Sequence, residues 1–203
     1  CAGQPDGTSC DDGVACDLGE TCRSGLCLAP ASFAAAAGSP ITVGDGPHAV
    51  VARDLNNDGK LDLAVANTAN SNSISILLGN GSGGFTPAAG SPVAVGPNPY
   101  AIAVGDFNAD TQLDLAVANF GSDNVTILLG NGSGGFAQAA GSPLAVGNDP
   151  FSIATADLSG DGKLDLAVTN FHSNDVTIFL GNGLGGFSQA AGSPFGVGSS
   201  PFA

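Results

Sequence analysis

DLNNDGKLDLAVAN (Asp54–Asn67) returns as DFNADTQLDLAVAN (Asp106–Asn119) and again as DLSGDGKLDLAVTN (Asp157–Asn170). The starts lie 52 and then 51 residues apart, so the chain is a tandem array of one unit. In each copy oxygen-bearing side chains fall at loop positions one, three, five and nine, and position seven is placed to offer its backbone carbonyl. The first loop would use Asp54, Asn56, Asp58 and Asp62 with the Lys60 carbonyl, leaving the Lys60 ammonium to point to solvent. The second would use Asp106, Asn108, Asp110 and Asp114 with the Gln112 carbonyl. The third would use Asp157, Ser159, Asp161 and Asp165 with the Lys163 carbonyl. An oxygen-only set suits a hard divalent cation, and Ca²⁺ accepts so flexible a cage better than Mg²⁺. The alternative is an Asx-rich turn without metal, since Asp and Asn build local turns unaided.

Outward from the loop, each unit reads as short strands bounded by Gly, Asn and Pro, with no amphipathic helix. In the second copy the strands are YAIAV (Tyr100–Val104), LDLAVAN (Leu113–Asn119), NVTILLG (Asn124–Gly130) and a fourth from about Phe136 to Val146. Leu113, Leu115 and Val117 alternate with Asp114, Ala116 and Ala118, which puts large side chains on one face and small ones on the other. Both faces are nearly apolar, so both are expected to be buried. Asn80-Gly81, Asn131-Gly132 and Asn182-Gly183 form the expected corner between strands three and four. Their alternative use as glycosylation acceptors, together with Asn124, is disfavoured because the third copy keeps the turn and loses the acceptor pattern. Position six is glycine in loops one and three but Thr111 in loop two, and a β-branched residue resists positive φ, so loop two is expected to be the weakest or most distorted.

Among 203 residues, 43% are hydrophobic and 11% charged, enough apolar material for a core. Nine of the eighteen acids lie in the three loops, and three bound Ca²⁺ would bring the net charge from −14 to −8. With only Arg23, Arg53, Lys60 and Lys163 basic, the surface that neutralises phosphates is missing, which argues against nucleic acid and anionic membrane as partners. No apolar run approaches the roughly 20 residues of a membrane span. His48 stands where Tyr100 and Phe151 stand in the other copies, an aromatic slot at the start of a strand, and His172 lies in a variable turn. Neither gives an acid-base pair, so catalysis is not expected.

Cys1, Cys10, Cys16, Cys22 and Cys27 all precede residue 28, in a stretch too small for its own core. Disulfides among Cys10, Cys16, Cys22 and Cys27 are the expected staple, in one of three connectivities; the spacing lacks the close pairs of a zinc site. Cys1 is left over, either paired elsewhere, lipid-modified at a mature terminus or exposed by truncation. The expected organisation is a Cys-rich module over 1–30 and a repeat region over 31–203. The latter holds an unaccompanied fourth strand at 33–44 and blades at about 47–97, 99–148 and 150–198.

An all-β chain of four-stranded antiparallel units near 50 residues long, apolar on both faces, is the expectation for β-propeller blades. The acidic loop, the LDLAVAN strand, the LLGNGSGGF segment and the AGSP stretches at Ala89, Ala140 and Ala191 resemble FG-GAP or VCBS-type repeats. These are the repeats of extracellular propellers, including the calcium-bearing blades of integrin α-subunits and related bacterial surface proteins. The resemblance covers about residues 33–203, and the head DGTSCDDGVACDLGETCRSGLC (Asp6–Cys27) more weakly resembles disulfide-bonded modules of bacterial surface proteins. It implies an extracellular, cell-surface protein with about three structural Ca²⁺ sites and an adhesive, structural or filament-forming role. Three blades fall short of a closed ring. The expectations are therefore a longer parent chain, a ring closed with a second copy, or head-to-tail self-association. The alternative function is a lectin-like, glycan-binding propeller, and a polysaccharide-acting enzyme scaffold comes third. A lectin would need aromatic platforms, yet the chain has no Trp and one Tyr, and its Phe residues sit mostly at repeat-equivalent positions, which favours core.

Overall fold

The computed structural model describes residues 21–23, 26–28, 35–36 and 38–202. It divides into two units, Cys1–Ala36 and Ala37–Ala203. In the first, β1 (Thr21–Arg23) and β2 (Leu26–Leu28) form an antiparallel ladder in which Cys22 and Cys27 are register partners. Cys1, Cys10 and Cys16 lie outside the described residues. Residues 35–36 and 38–44, within the segment read as an unaccompanied fourth strand, carry no strand. In the blades that segment pairs with a third strand of its own unit, and no such strand precedes it among the described residues.

The second unit is three antiparallel blades. The first comprises β3 (Pro47–Arg53), β4 (Asp62–Asn67), β5 (Ser73–Gly79), β6 (Phe85–Pro87) and β7 (Val93–Ala94). The second comprises β8 (Pro99–Gly105), β9 (Asp114–Asn119), β10 (Asn124–Gly130), β11 (Phe136–Gln138) and β12 (Leu144–Ala145). The third comprises β13 (Pro150–Ala156), β14 (Asp165–Asn170), β15 (Asp175–Gly181), β16 (Phe187–Gln189) and β17 (Phe195–Gly196). In every blade the first four strands pair in sequence order and the fifth returns to the third. Among the described residues no helix is long and apolar enough to cross a membrane.

The single fourth strand read from sequence is two short ones. β11 pairs with the far end of β10 and β12 with its near end. Between them the backbone leaves the ladder, with Gly141 at φ 83° and a cis Ser142–Pro143 peptide. The gap is bridged by a side chain: Ile127 N–H donates to Ser142 Oγ at 2.9 Å. Ser91 serves Ile76 at 2.9 Å and Ser193 serves Ile178 at 2.8 Å in the same way. The AGSP motif thus keeps a buried strand's N–H satisfied where strand pairing lapses.

Blades pack large face against small face. Leu115, Val117, Leu128 and Ile102 of the second blade meet Ala64, Ala66, Ile74 and Ile76 of the first. On its other face Ala116, Ala118, Val125 and Ile127 receive Leu166, Val168, Ile153 and Phe179 of the third. The alternation of LDLAVAN therefore sets the seam: small residues let the next blade's branched side chains come close. Each fully buried Leu, Ile or Val contributes about 1.5–3 kcal/mol.

Candidate metal loops and the seams beneath them

All three acidic loops join the first strand of a blade to its second, so they share one end of the array. Their backbones follow one pattern. Position four has positive φ at Asn57 (60°), Ala109 (60°) and Gly160 (79°), as does position six at Gly59 (79°), Thr111 (70°) and Gly162 (82°). The position-one carboxylate closes the turn. Asp54 accepts from Asp58 N–H at 3.1 Å and Gly59 N–H at 2.8 Å. Asp106 accepts from Asp110 N–H at 3.2 Å and Thr111 N–H at 2.9 Å. Asp157 accepts from Asp161 N–H at 3.1 Å and Gly162 N–H at 2.9 Å.

Loop two is therefore not distorted in hydrogen bonding: the loop imposes the left-handed conformation on Thr111 and Ala109 instead. A left-handed L-residue costs about 1–2 kcal/mol. Replacing Thr111 by Gly is accordingly expected to raise stability by about 1 kcal/mol, read as a rise in the midpoint of urea unfolding at unchanged slope. An unchanged or lower midpoint contradicts it.

Position nine does something the spacing did not reveal. Asp62, Asp114 and Asp165 are fully buried, and each carboxylate ties the loop to the blade's third strand. Asp62 accepts from Leu55 N–H at 2.9 Å and Gly79 N–H at 2.7 Å. Asp114 accepts from Phe107 N–H and Gly130 N–H, both at 2.8 Å. Asp165 accepts from Leu158, Ser159 and Gly181 N–H groups, all at 2.9 Å. Burial pushes the Asp114 carboxyl above the usual carboxylate range, with the charges of Asp110 and Asp106 adding to it, against the pull of its two backbone donors.

Position five lies at the surface. Asp58 accepts from Lys60 N–H at 2.9 Å, and the Lys60 ammonium folds onto its other oxygen at 3.1 Å. Asp161 is held likewise by Lys163, whose ammonium sits at 2.9 Å. The expectation that this ammonium points away is corrected: two residues along a tight turn, N–H and ammonium reach one carboxylate. These lysine contacts hold both carboxyls below the usual range, led at Asp58 by the backbone N–H and at Asp161 by the ammonium. Gln112 has no such charge; its N–H binds Asp110 at 2.8 Å and its Oε1 accepts from Asn57 across the seam. At position three, Asn56 and Asn108 accept from Asp58 and Asp110 N–H groups at 3.1 and 3.0 Å. Ser159 contributes its N–H to Asp165.

The donors in each loop are all oxygens, which fits a hard cation in kind. In this conformation they close on the loop's own N–H groups, and among the described residues no set of three His, Cys, Asp or Glu side chains converges on a metal position.

Sequence reasoning also passed over the asparagine ending each second strand. Asn67, Asn119 and Asn170 are fully buried. Asn119 Nδ2 donates to Thr126 Oγ1 and Asn124 Oδ1, both at 2.8 Å. Asn170 repeats this with Thr177 at 2.8 Å and Asp175 at 2.6 Å, and Asn67 reaches Ser75 at 3.0 Å. Gly96 and Gly147 of the preceding blade lie against Asn119 and Asn170, where a Cβ would collide with the amide. The signal was present as Ser or Thr at the third residue of each third strand.

At the other end of the array the aromatics form a row. His48 stacks on Tyr100 with centroids 4.1 Å apart, and Tyr100 stacks on Phe120 at 4.4 Å. Phe151, Phe171 and Phe202 continue it, with Phe171 and His172 edge to face at 4.9 Å. His172 pairs with Asp149. Tyr100, Phe120, Phe151 and Phe171 are half-exposed and Phe202 is exposed, so these repeat-equivalent rings are a surface row and not core.

Serial antiparallel blades with an Asp-stapled acidic loop at each first corner define a tandem all-β repeat protein of propeller-like build. A family model for the FG-GAP-like repeat matches residues 54–117 and 106–168, more than half the chain, and the chain belongs to that family. Among solved structures it is similar to an Agrocybe aegerita lectin described for its specific recognition of non-reducing terminal N-acetylglucosamine. The two are 21% identical over 70% of this chain, with a TM-score of 0.44, and the chain spans 37% of the length of that lectin. Comparison with curated proteins returns no match.

Proposed function

We propose that this chain is an extracellular, calcium-stabilised repeat protein with a structural role at a cell surface, its rigid blades associating into a stalk, coat or fibre and adhering through it. The supporting observation is the threefold recurrence, at one end of the array, of a loop with one backbone course and oxygen donors only. Asp54, Asn56, Asp58 and Asp62 would hold the ion in the first loop, Asp106, Asn108, Asp110 and Asp114 in the second, and Asp157, Ser159, Asp161 and Asp165 in the third. The carbonyls of Lys60, Gln112 and Lys163 complete the sets. A bound Ca²⁺ would supply charge neutralisation and a rigid corner. For this the Lys60 and Lys163 ammoniums have to leave their carboxylates, a small cost at exposed pairs.

The role is read as non-enzymatic. His48 stacks on Tyr100 and His172 pairs with Asp149, so neither imidazole is poised beside a nucleophile. The aromatic row supports a structural reading over sugar recognition, because His48, Tyr100 and Phe120 cover one another's faces where a sugar would stack.

The test is the double variant Asp58→Asn, Asp161→Asn. Each Asn keeps an acceptor for the position-seven N–H, so in chelator the melting temperature is expected within about 1 °C of the parent. With saturating Ca²⁺ the parent gains about 2.7 kcal/mol per site at a hundredfold excess over Kd, and the variant loses most of that at two sites. Equal melting of both proteins across a Ca²⁺ titration removes the metal assignment.

A further inference from the structure

Position seven of the acidic loop is a lysine in the first and third copies and a glutamine in the second, and the side chains lie differently. The Lys60 ammonium sits 3.1 Å from Asp58 Oδ2 and the Lys163 ammonium 2.9 Å from Asp161 Oδ2. Each stem is guided there by its own blade's Asn-Gly corner. The Lys60 methylenes lie along Gly81 and those of Lys163 along Gly183. The N–H groups of the same lysines hold Asp58 Oδ1 and Asp161 Oδ1, so both oxygens of each carboxylate are engaged.

Loop two has the same backbone course and no cation. Gln112 N–H still binds Asp110 Oδ1 at 2.8 Å, but Asp110 Oδ2 accepts from the neutral Asn108 amide at 3.0 Å. The Gln112 side chain turns instead to Asn57 of the first blade. Three Asp and one Lys give loops one and three a formal charge of −2, whereas three Asp alone give loop two −3. In two loops, then, a cation is already seated on a carboxylate that would hold the ion. It is tethered two residues along the chain, so its effective concentration at the carboxylate is high and does not fall on dilution.

We propose that Lys60 and Lys163 are built-in competitors of the calcium ion, so that loop two fills first and the two lysines set the higher concentration at which loops one and three follow. Ca²⁺ entering loop one has to displace the ammonium from Asp58, and the displaced lysine stays close to a doubly charged ion. Only the carbonyl of position seven would bind the ion, so its side chain tunes affinity without altering the ligand set. Ligand charge governs the affinity of oxygen cages, and exposed ion pairs are weak, so the difference expected is about five- to tenfold. Thr111 does not oppose this order, because it already has φ 70° and binding adds no strain there. The order presupposes the calcium reading above and adds to it which loop fills first and why.

Isothermal titration of Ca²⁺ into the chelator-stripped full chain is the test. The parent is expected to bind about one equivalent tightly and about two more about five- to tenfold less tightly. Asp110→Asn is expected to remove the tight class. Lys60→Gln combined with Lys163→Gln keeps the position-seven N–H and carbonyl and is expected to tighten the weak class about five- to tenfold, and Gln112→Lys to weaken the tight class by the same factor. A melting curve of each variant in chelator reports that it is folded. Equivalents of a single affinity in the parent, a weak class that the lysine substitutions leave unchanged, or a tight class that survives Asp110→Asn each overturn the proposal and leave the calcium reading standing. Absence of binding in the parent and in the lysine variant overturns both.

Discussion

Replacing Asp165 by Ala is expected to destabilise the protein by about 3–5 kcal/mol, a fall in melting temperature of about 10–15 °C for a chain of this size. Asp165 is fully buried and receives three backbone N–H groups, from Leu158, Ser159 and Gly181. Truncation orphans the buried Gly181 donor, at about 1–3 kcal/mol, and takes the acceptor from the part-buried Leu158 and Ser159 donors as well. The loss includes the tie between the acidic loop and the third strand, so both the corner and the blade loosen. Unlike the variants at Asp58 and Asp161, this one is expected to melt low in chelator as well as in Ca²⁺. A drop seen only in Ca²⁺ would mean that the residue is not a staple.

Gly130→Ala is expected to cost about 3 kcal/mol or more, or to prevent accumulation of folded protein. A Cβ at Gly130 would run into the Leu113 carbonyl oxygen, a backbone atom that cannot rotate away. The same collision recurs at Gly79 with Leu61 and at Gly181 with Leu164. The glycine is required because Gly130 N–H must come close enough to bind Asp114 beneath the loop. Gly141→Ala is the matched control. That glycine has φ 83° with nothing within 4 Å of the added Cβ, so only the backbone penalty of about 1–2 kcal/mol applies. Thermal unfolding of the two variants side by side checks the contrast, and equal losses would show that collision with the carbonyl is not what conserves space there.

The blade was legible in the sequence because its physics is periodic. Alternation of Leu115 and Val117 with Ala116 and Ala118 gave the faces, and the structure puts the large ones on one neighbour and the small ones on the other. The fourth strand was misread as continuous because a Ser side chain does the work of a backbone partner there, and a hydroxyl contact leaves no periodicity. The staple made by Asp114 was not legible because a ligand and a staple want the same residue, a carboxylate at a fixed distance from a turn, and its partners, the N–H groups of Phe107 and Gly130, lie 7 residues before it and 16 after it. Thr111 was expected to distort its loop, but propensity yields to a turn that five neighbouring hydrogen bonds already define.

The central claim is that the three loops take up calcium and that this uptake stabilises the blades. Isothermal titration of Ca²⁺ into chelator-stripped protein, paired with a melting curve at each point, tests it most directly. The account predicts about three equivalents bound, in the sub-millimolar to millimolar range of extracellular modules, with melting temperature rising in step. Absence of binding heat, with a melting temperature unchanged up to about 10 mM Ca²⁺, would contradict it and leave the loops as hydrogen-bonded turns.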